Sequence, residues 1–357
     1  MVLGRVKCIG LGNALGRFKE FLWREFSFIT GNYRILVVSW IIMDLAMEMP
    51  QPNFQYYVND ILQGPPVALG LIGLANFVAM AAVAFPGGYL ADKYGRRWLI
   101  TTMTFAMALS YLFFAFAPTW HFILIGSVVG SLCLIYQPAL FAMVQDSLPP
   151  ERRGMGSSII QLIHGTFNTP GPIIAGFLLL QLGLEWSMRV IYLTMTVLFV
   201  IAAVWRLRLR ETMTNGDPIR FSYFISSYPR AVKESFAVWK EVPRTVLWLF
   251  AVRILVMFGM ALTGVINALY ANQVLGIPKE QWWLVFIPLL LTMIAASLPI
   301  GKLVDKAGRK IPIVLGLGVL GVGTVIFAFG DFVTVMLSMC LFGFAQMLIM
   351  SGVMALS

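Results

Sequence analysis

The chain has 357 residues, 59% of them hydrophobic and only 12% charged, with a formal net charge of +10. Soluble domains carry about a quarter charged residues, so this composition excludes an ordinary soluble protein. Apolar runs of about 20 residues, each long enough to cross ~30 Å of hydrocarbon as a helix, recur along almost the whole length, and their lack of two-residue alternation excludes a transmembrane barrel.

Residues 1–34 form a basic segment without the apolar core of a signal peptide. Its part from 15 to 34 suits either an amphipathic surface helix or a plain tail. Ten spans are expected, at 35–58, 67–91, 98–117, 121–146, 157–182, 187–207, 245–274, 282–304, 311–330 and 333–356. They divide the chain into an N-terminal six-helix bundle (35–207), an inter-bundle connection (208–244) and a four-helix second bundle (245–357).

The first span contains W-I-I-M-D-L-A-M-E-M-P-Q-P-N-F-Q-Y-Y, residues 40–57. Asp44, Glu48, Gln51 and Gln55 are spaced 4, 3 and 4 apart, which in an unbroken helix is one face. Such a stripe predicts the wall of an aqueous pathway. Two like charges one turn apart and partly desolvated should not titrate together, so at least one carboxyl is expected to bind a proton readily. A static ion pair with Arg253 is the alternative. In the seventh span Arg253, Asn267 and Tyr270 follow a similar spacing, and His164 is a further ionisable residue, in the fifth. Intramembrane ionisable groups cost at least ~2.5–3.5 kcal/mol and are read as proton or substrate sites.

Of the 26 Lys and Arg, 23 fall in residues 1–34, the connections after spans 2, 4 and 8, and the segment 206–244. By the positive-inside rule these lie in the cytoplasm, with the N-terminus, for a multi-pass protein of the cell membrane. Basic residues shared among short loops also argue against a nucleic-acid partner. Cys8, Cys133 and Cys340 are scattered, so neither a metal site nor a disulfide framework is expected. No phosphate loop or nucleophile–base set is present, so no enzyme and no cofactor is expected.

A-V-A-F-P-G-G-Y-L-A-D-K-Y-G-R-R (82–97) aligns without a gap on A-A-S-L-P-I-G-K-L-V-D-K-A-G-R-K (295–310), an offset of 213 residues. The same offset pairs Tyr57, Asn59, Leu62 and Gly130 with Tyr270, Asn272, Leu275 and Gly343. Parallel repeats of this kind build transporters with the solute site between the halves. Glycine in the loops suits close approach and tight turns, Asp92 could meet the positive end of a neighbouring helix, and Asp146 is the candidate partner of Arg96 and Arg97.

These two loops resemble the paired G-x-x-x-D-[KR]-x-G-[RK]-[RK] signature of the major facilitator superfamily. D-S-L-P-P-E-R-R-G (146–154) resembles its fourth-to-fifth connection, and N-T-P-G-P-I-I-A-G (168–176) its fifth helix. The resemblance implies an all-α fold of two parallel-repeat bundles in which the first and seventh helices face one another. It also implies a latch at the cytoplasmic side, formed by Gly88, Asp92, Lys93, Gly95, Arg96, Arg97 and Asp146 and by Gly301, Asp305, Lys306, Gly308, Arg309 and Lys310. The family plan has twelve helices against ten here, so a truncation after the tenth is expected. The fourth span lacks the arginine of many proton-driven members.

The expected function is secondary transport of a small solute by alternating access, with proton-coupled export of amphipathic or cationic compounds. The alternatives are proton-linked uptake of a sugar or organic anion, and a non-transporting or partner-dependent remnant. The expected partners are the solute, protons and the lipid bilayer. The solute's identity, the direction of transport and the oligomeric state are not readable from the sequence.

Overall fold

The computed structural model describes residues 26–152, 170–213, 266–307 and 310–354, with isolated positions between them. It gives only the backbone at 85, 92–94, 297–298, 301–302, 304–307 and 350–354. Every regular element among the described residues is helical. The long helices follow from the composition, because a backbone in hydrocarbon must satisfy its own N–H and C=O groups.

α1 runs from Gly31 to Glu48, α2 from Pro66 to Tyr94 and α3 from Arg96 to Ala115. α4 spans Trp120–Asp146, with a tight turn at Leu134–Tyr136. α5, Pro170–Arg206, has 37 residues, about 55 Å of helix, nearly twice the hydrocarbon thickness. It is two segments joined at Gly183, where φ is 72° and ψ 172°, a left-handed backbone that glycine adopts without a side-chain clash. The second half contributes α6 (Asn267–Gln273), α7 (Phe286–Ala307), α8 (Lys310–Phe329) and α9 (Phe332–Met354).

Among the described residues, seven helices are long and apolar enough to cross a membrane, α5 counted once. α1 carries Arg34, Asp44 and Glu48 within its 18 residues. The expected seventh span is described mainly at its end, in α6. Leu109, Val197, Val204, Val322 and Phe329 are all more than half exposed, as side chains that face lipid should be.

The expected first span is not one helix. α1 stops at Glu48, residues 49–53 form a bend and turn, and a short helical turn (Phe54–Tyr56) leads into a wider one, Tyr57–Ile61. Pro50 and Pro52 explain the break: each lacks an N–H, and each disfavours the helical conformation of the residue before it. Asp44 and Glu48 therefore do not share a continuous helical face with Gln51 and Gln55.

The repeat recurs in the backbone. Gln63 (φ 54°) and Gly276 (φ 70°), 213 residues apart, both turn through left-handed conformations. Pro65 and Pro278, also 213 apart, both lead into helices from extended backbone. Pro86 and Pro299 both lie inside helices. The Tyr57 hydroxyl donates to the carbonyl of Phe114 (3.2 Å) and that of Tyr270 to the carbonyl of Ala328 (2.8 Å). Each tyrosine thus ties the first helical region of its half to the third.

Close packing falls one residue away from where the signature suggested. A Cβ on Gly88 would meet nothing nearer than Pro138 Cβ at 3.8 Å, whereas one on Gly87 would lie 2.3 Å from the Ile135 carbonyl oxygen. Gly87 is the glycine that lets α2 approach α4, as small residues do between membrane helices.

The helices place the basic connections at one end, beside Gly31, Gly95, Ser147, Leu207 and Lys310, called the basic end below. The connections near Gly64, Ala117, Gly183, Gly276 and Gly330 lie at the opposite, far end.

Candidate functional site

The two halves meet at the far end. The Gln55 side chain donates to the Gly264 carbonyl (2.8 Å) and accepts from the backbone N–H of Ala268 (2.9 Å) and Leu269 (3.3 Å). Buried beside it, the Tyr56 hydroxyl donates to the Ala268 carbonyl (2.7 Å). Lys279 forms an ion pair with Asp60 and lies 5.7 Å from the centre of the Tyr56 ring. Trp283 packs so tightly on α5 that a Cβ on Gly176 would fall 2.2 Å from its ring. The prolines that break α1 free the stretch 51–56 to reach across, which a straight helix would not do.

The predicted residues separate into groups. Asp44, 7% exposed, and the half-buried Glu48 sit on α1. Glu48 lies against α5, where a Cβ on Gly171 would come within 3.0 Å of the Glu48 Cβ. Gln51 and Gln55 instead line a cavity of about 370 Å³ in the first half, whose lining includes neither carboxylate. Asn267 begins α6. The Tyr270 hydroxyl is engaged with Ala328 inside the second half. His164, Arg253, Gly308 and Arg309 lie outside the described residues, and Asp92, Lys93, Gly301, Asp305 and Lys306 are described by backbone alone. Lys310 is exposed at the start of α8.

At the basic end the signature loop is tied within its own half. Gly95, at φ 98°, makes the turn between α2 and α3. Arg96 pairs with Asp146. Arg97 does not share that carboxylate; it donates to the Leu207 carbonyl at 2.9 Å.

The positive end of α3 is met by Glu211, which the sequence reading missed. Its two carboxylate oxygens accept the backbone N–H groups of Arg96 (3.1 Å) and Arg97 (2.9 Å). Asn32 exchanges two hydrogen bonds of 2.8 Å with the Arg210 backbone, so the start of α1 is bound to the same segment.

Burial alone would raise the Glu211 pKa, but the hydrogen bonds from the N–H groups of Arg97, Arg96, Met213 and Thr212 outweigh it and hold it below the ordinary 4.5. A depressed carboxyl stabilises the fold fully above about pH 4.5 and loses that contribution as pH falls through its folded value. Glu211→Ala is expected to cost about 0.5–1 kcal/mol after solvent screening. Thermal unfolding in detergent should show the gap to the parent protein at pH 7 and its disappearance well below pH 4.5. A gap that persists in acid means that something other than the carboxylate is responsible.

Arg206 was counted with the connection but is the last residue of α5 and wholly buried. Its Nε donates to Ser39 Oγ (2.9 Å), its Nη1 to Thr104 Oγ1 (2.7 Å), and its guanidinium lies 5.5 Å from the Tyr136 ring centre. Among the described residues it has no carboxylate partner, and Nη2 has no hydrogen bond. The C-terminal end of its own helix and the Tyr136 face offset the buried charge. The signal was present: Phe199, Ala202, Ala203 and Arg206 fall on one helical face, and the first three are apolar and buried.

The model of the family described as Major Facilitator Superfamily matches residues 36–357. The multi-drug resistance efflux pump PmrA of Streptococcus pneumoniae is 25% identical over 302 residues, covering 81% of this chain and 69% of that protein. The multidrug resistance protein MdtH of Photorhabdus laumondii is 23% identical over 287 residues, covering 78% of this chain and 65% of that one. Among solved structures, the human organic anion transporter MFSD10 superposes with a TM-score of 0.66 at 18% identity, over 91% of this chain and 84% of that one. At that identity the likeness is one of fold.

Proposed function

We infer that the chain, which belongs to the Major Facilitator Superfamily, is a multi-pass transporter that exports amphipathic or cationic compounds in exchange for protons. The reading takes 35–207 and 245–357 as two bundles that rock about a solute pathway, with 208–244 between them. The observation that carries it is the placement of the contacts between halves. Gln55, Tyr56, the Asp60–Lys279 pair and the Gly176–Trp283 contact all lie at the far end. At the basic end Arg96 pairs with Asp146 and Arg97 with the Leu207 carbonyl, both in the first bundle, and Glu211 of the connection meets the start of α3. A two-part scaffold fastened, among the described residues, at its far end fits one limb of an alternating-access cycle.

By the positive-inside rule the basic end faces the cytoplasm, so this state is open inward. Asp44 and Glu48 are assigned the proton, and Asp92, Lys93, Asp305 and Lys306 the closing of the basic end in the opposite state. A relative named as a multi-drug resistance efflux pump supports export.

The test is reconstitution in liposomes with an imposed pH gradient and tetraphenylphosphonium as the transported cation. Accumulation against its gradient, collapsed by a protonophore, is expected. Cross-linking Asp60→Cys to Lys279→Cys, in a background without Cys8, Cys133 and Cys340, should stop it. Flux indifferent to the pH gradient sinks the proton coupling, and flux that survives the cross-link sinks alternating access.

A further inference from the structure

The cavity of about 370 Å³ is walled by the 47–55 stretch, α2, α3, α4 and the second segment of α5, with Gly264 at its edge. It therefore lies inside the first half-bundle. Its size is at the lower end of small-molecule sites, about 300–1,000 Å³.

Its chemistry is distinctive in two ways. Among the described residues no Asp, Glu, Lys, Arg or His lines it. A charged ligand entering such a space would lose its hydration with no counter-charge to replace it. Yet the walls are not inert. Ser110 and Ser131 are satisfied, by the Met107 carbonyl at 2.7 Å and by Asn76. The Gln51 amide and the hydroxyls of Ser127, Tyr111 and Tyr192 have no hydrogen-bond partner among the described residues. Tyr111 is 8% and Tyr192 2% exposed. None of these is a fully enclosed orphan group; they open onto the cavity, where a ligand's polar atoms or water can meet them. Met107, Met195 and Phe114 supply adaptable apolar surface between them.

We propose that this cavity binds a small uncharged amphiphile, an apolar body carrying hydroxyl, carbonyl or amide groups. Its site is separate from the carboxylates of α1. The Gln55–Gly264 hydrogen bond that fastens the two halves is also part of the cavity wall. Opening the far end therefore removes a wall of the site, and occupancy and gate are linked. The linkage to transport rests on the function proposed above; the binding site itself does not.

The test uses two probes of one shape, 1-naphthalenemethanol and 1-naphthylmethylamine, the second a cation at pH 7. Binding of tritiated 1-naphthalenemethanol is measured at equilibrium on the purified full chain in nanodiscs, with no pH gradient, against empty nanodiscs. Saturable binding is expected, with the cation a competitor at least about tenfold weaker. Tyr192→Phe and Ser127→Ala, each removing one hydroxyl, should weaken the alcohol by about two- to tenfold. Tyr111→Phe gives a third readout should either variant fold poorly.

Equal affinity for alcohol and cation overturns the proposal, as does binding indifferent to the hydroxyl deletions in well-folded protein, or no binding beyond that of empty nanodiscs. Because nothing in the measurement requires transport, a negative result here leaves proton-driven export standing. A failure of export likewise leaves the binding result standing.

Discussion

Asp44→Asn is expected to abolish solute accumulation driven by a pH gradient while leaving solute exchange at equal pH intact. Asp44 lies 13 residues beyond Gly31, about 20 Å along α1 at 1.5 Å per residue, and is 7% exposed here. A carboxylate that is wet in one state and enclosed in the other differs between them by about 2.5–3.5 kcal/mol in its charged form. Protonation then biases the two states by about a hundredfold, enough to couple proton and solute. An asparagine is held permanently near the protonated bias, so it can exchange solute but has no proton to release. Glu48→Gln should reduce the gradient-driven rate without removing it, because Glu48 packs against Gly171 nearer the end of α1. Both are read in proteoliposomes as accumulation and counterflow. Full pH-driven accumulation by Asp44→Asn removes the proton from that residue.

The sequence made the repeat legible in unusual detail, because the 213-residue offset is a property of local chemistry. The offset paired Leu62 with Leu275, and the residues that follow them, Gln63 and Gly276, share a left-handed backbone. Helices were legible from apolar length, since hydrocarbon leaves the backbone few other ways to satisfy itself. Beyond the Arg96–Asp146 pair, contact between distant segments could not be read. Pro50 and Pro52 were visible, but that the freed stretch 51–56 reaches Gly264 and Ala268 depends on how the halves lean.

The same limit hid Glu211, whose partners on α3 are more than 110 residues away. Arg206 was misplaced for a different reason. Charge counting assigns every terminal arginine to water, whereas three apolar neighbours on its face, Phe199, Ala202 and Ala203, carry this one inward. The spacing of the four polar residues of the first span was read through a break in the helix. The carboxylates stay on α1, while the amides serve the far end and the cavity.

Gln55→Ala is expected to open the far end, and the comparison of its bonds with the neighbouring ion pair says why. Lys279 is 37% and Asp60 25% exposed; an ion pair so close to water contributes about 0–1 kcal/mol and weakens with salt. Gln55 makes three hydrogen bonds across the halves, each worth about 0.5–1.5 kcal/mol. Together they favour the closed far end by about ten- to a thousandfold, so the amide rather than the ion pair dominates the closure. Gln55→Glu separates the contributions, because a carboxylate still accepts from Ala268 and Leu269 but cannot donate to Gly264. It should therefore open the far end less than alanine does.

The measurement is the labelling rate of Gln51→Cys by a membrane-impermeant maleimide, in a background without Cys8, Cys133 and Cys340. Rates should rise from the parent background to Gln55→Glu to Gln55→Ala, and 0.5 M salt should change the parent background little. Equal rates in all three would assign the closure elsewhere, to Tyr56 and Trp283. A large salt effect would assign it to Lys279 and Asp60. On the proposed cycle, a transporter whose far end no longer closes firmly must also lose the state closed at that end. Gln55→Ala should therefore slow export at saturating solute even though the carboxylates of α1 are untouched.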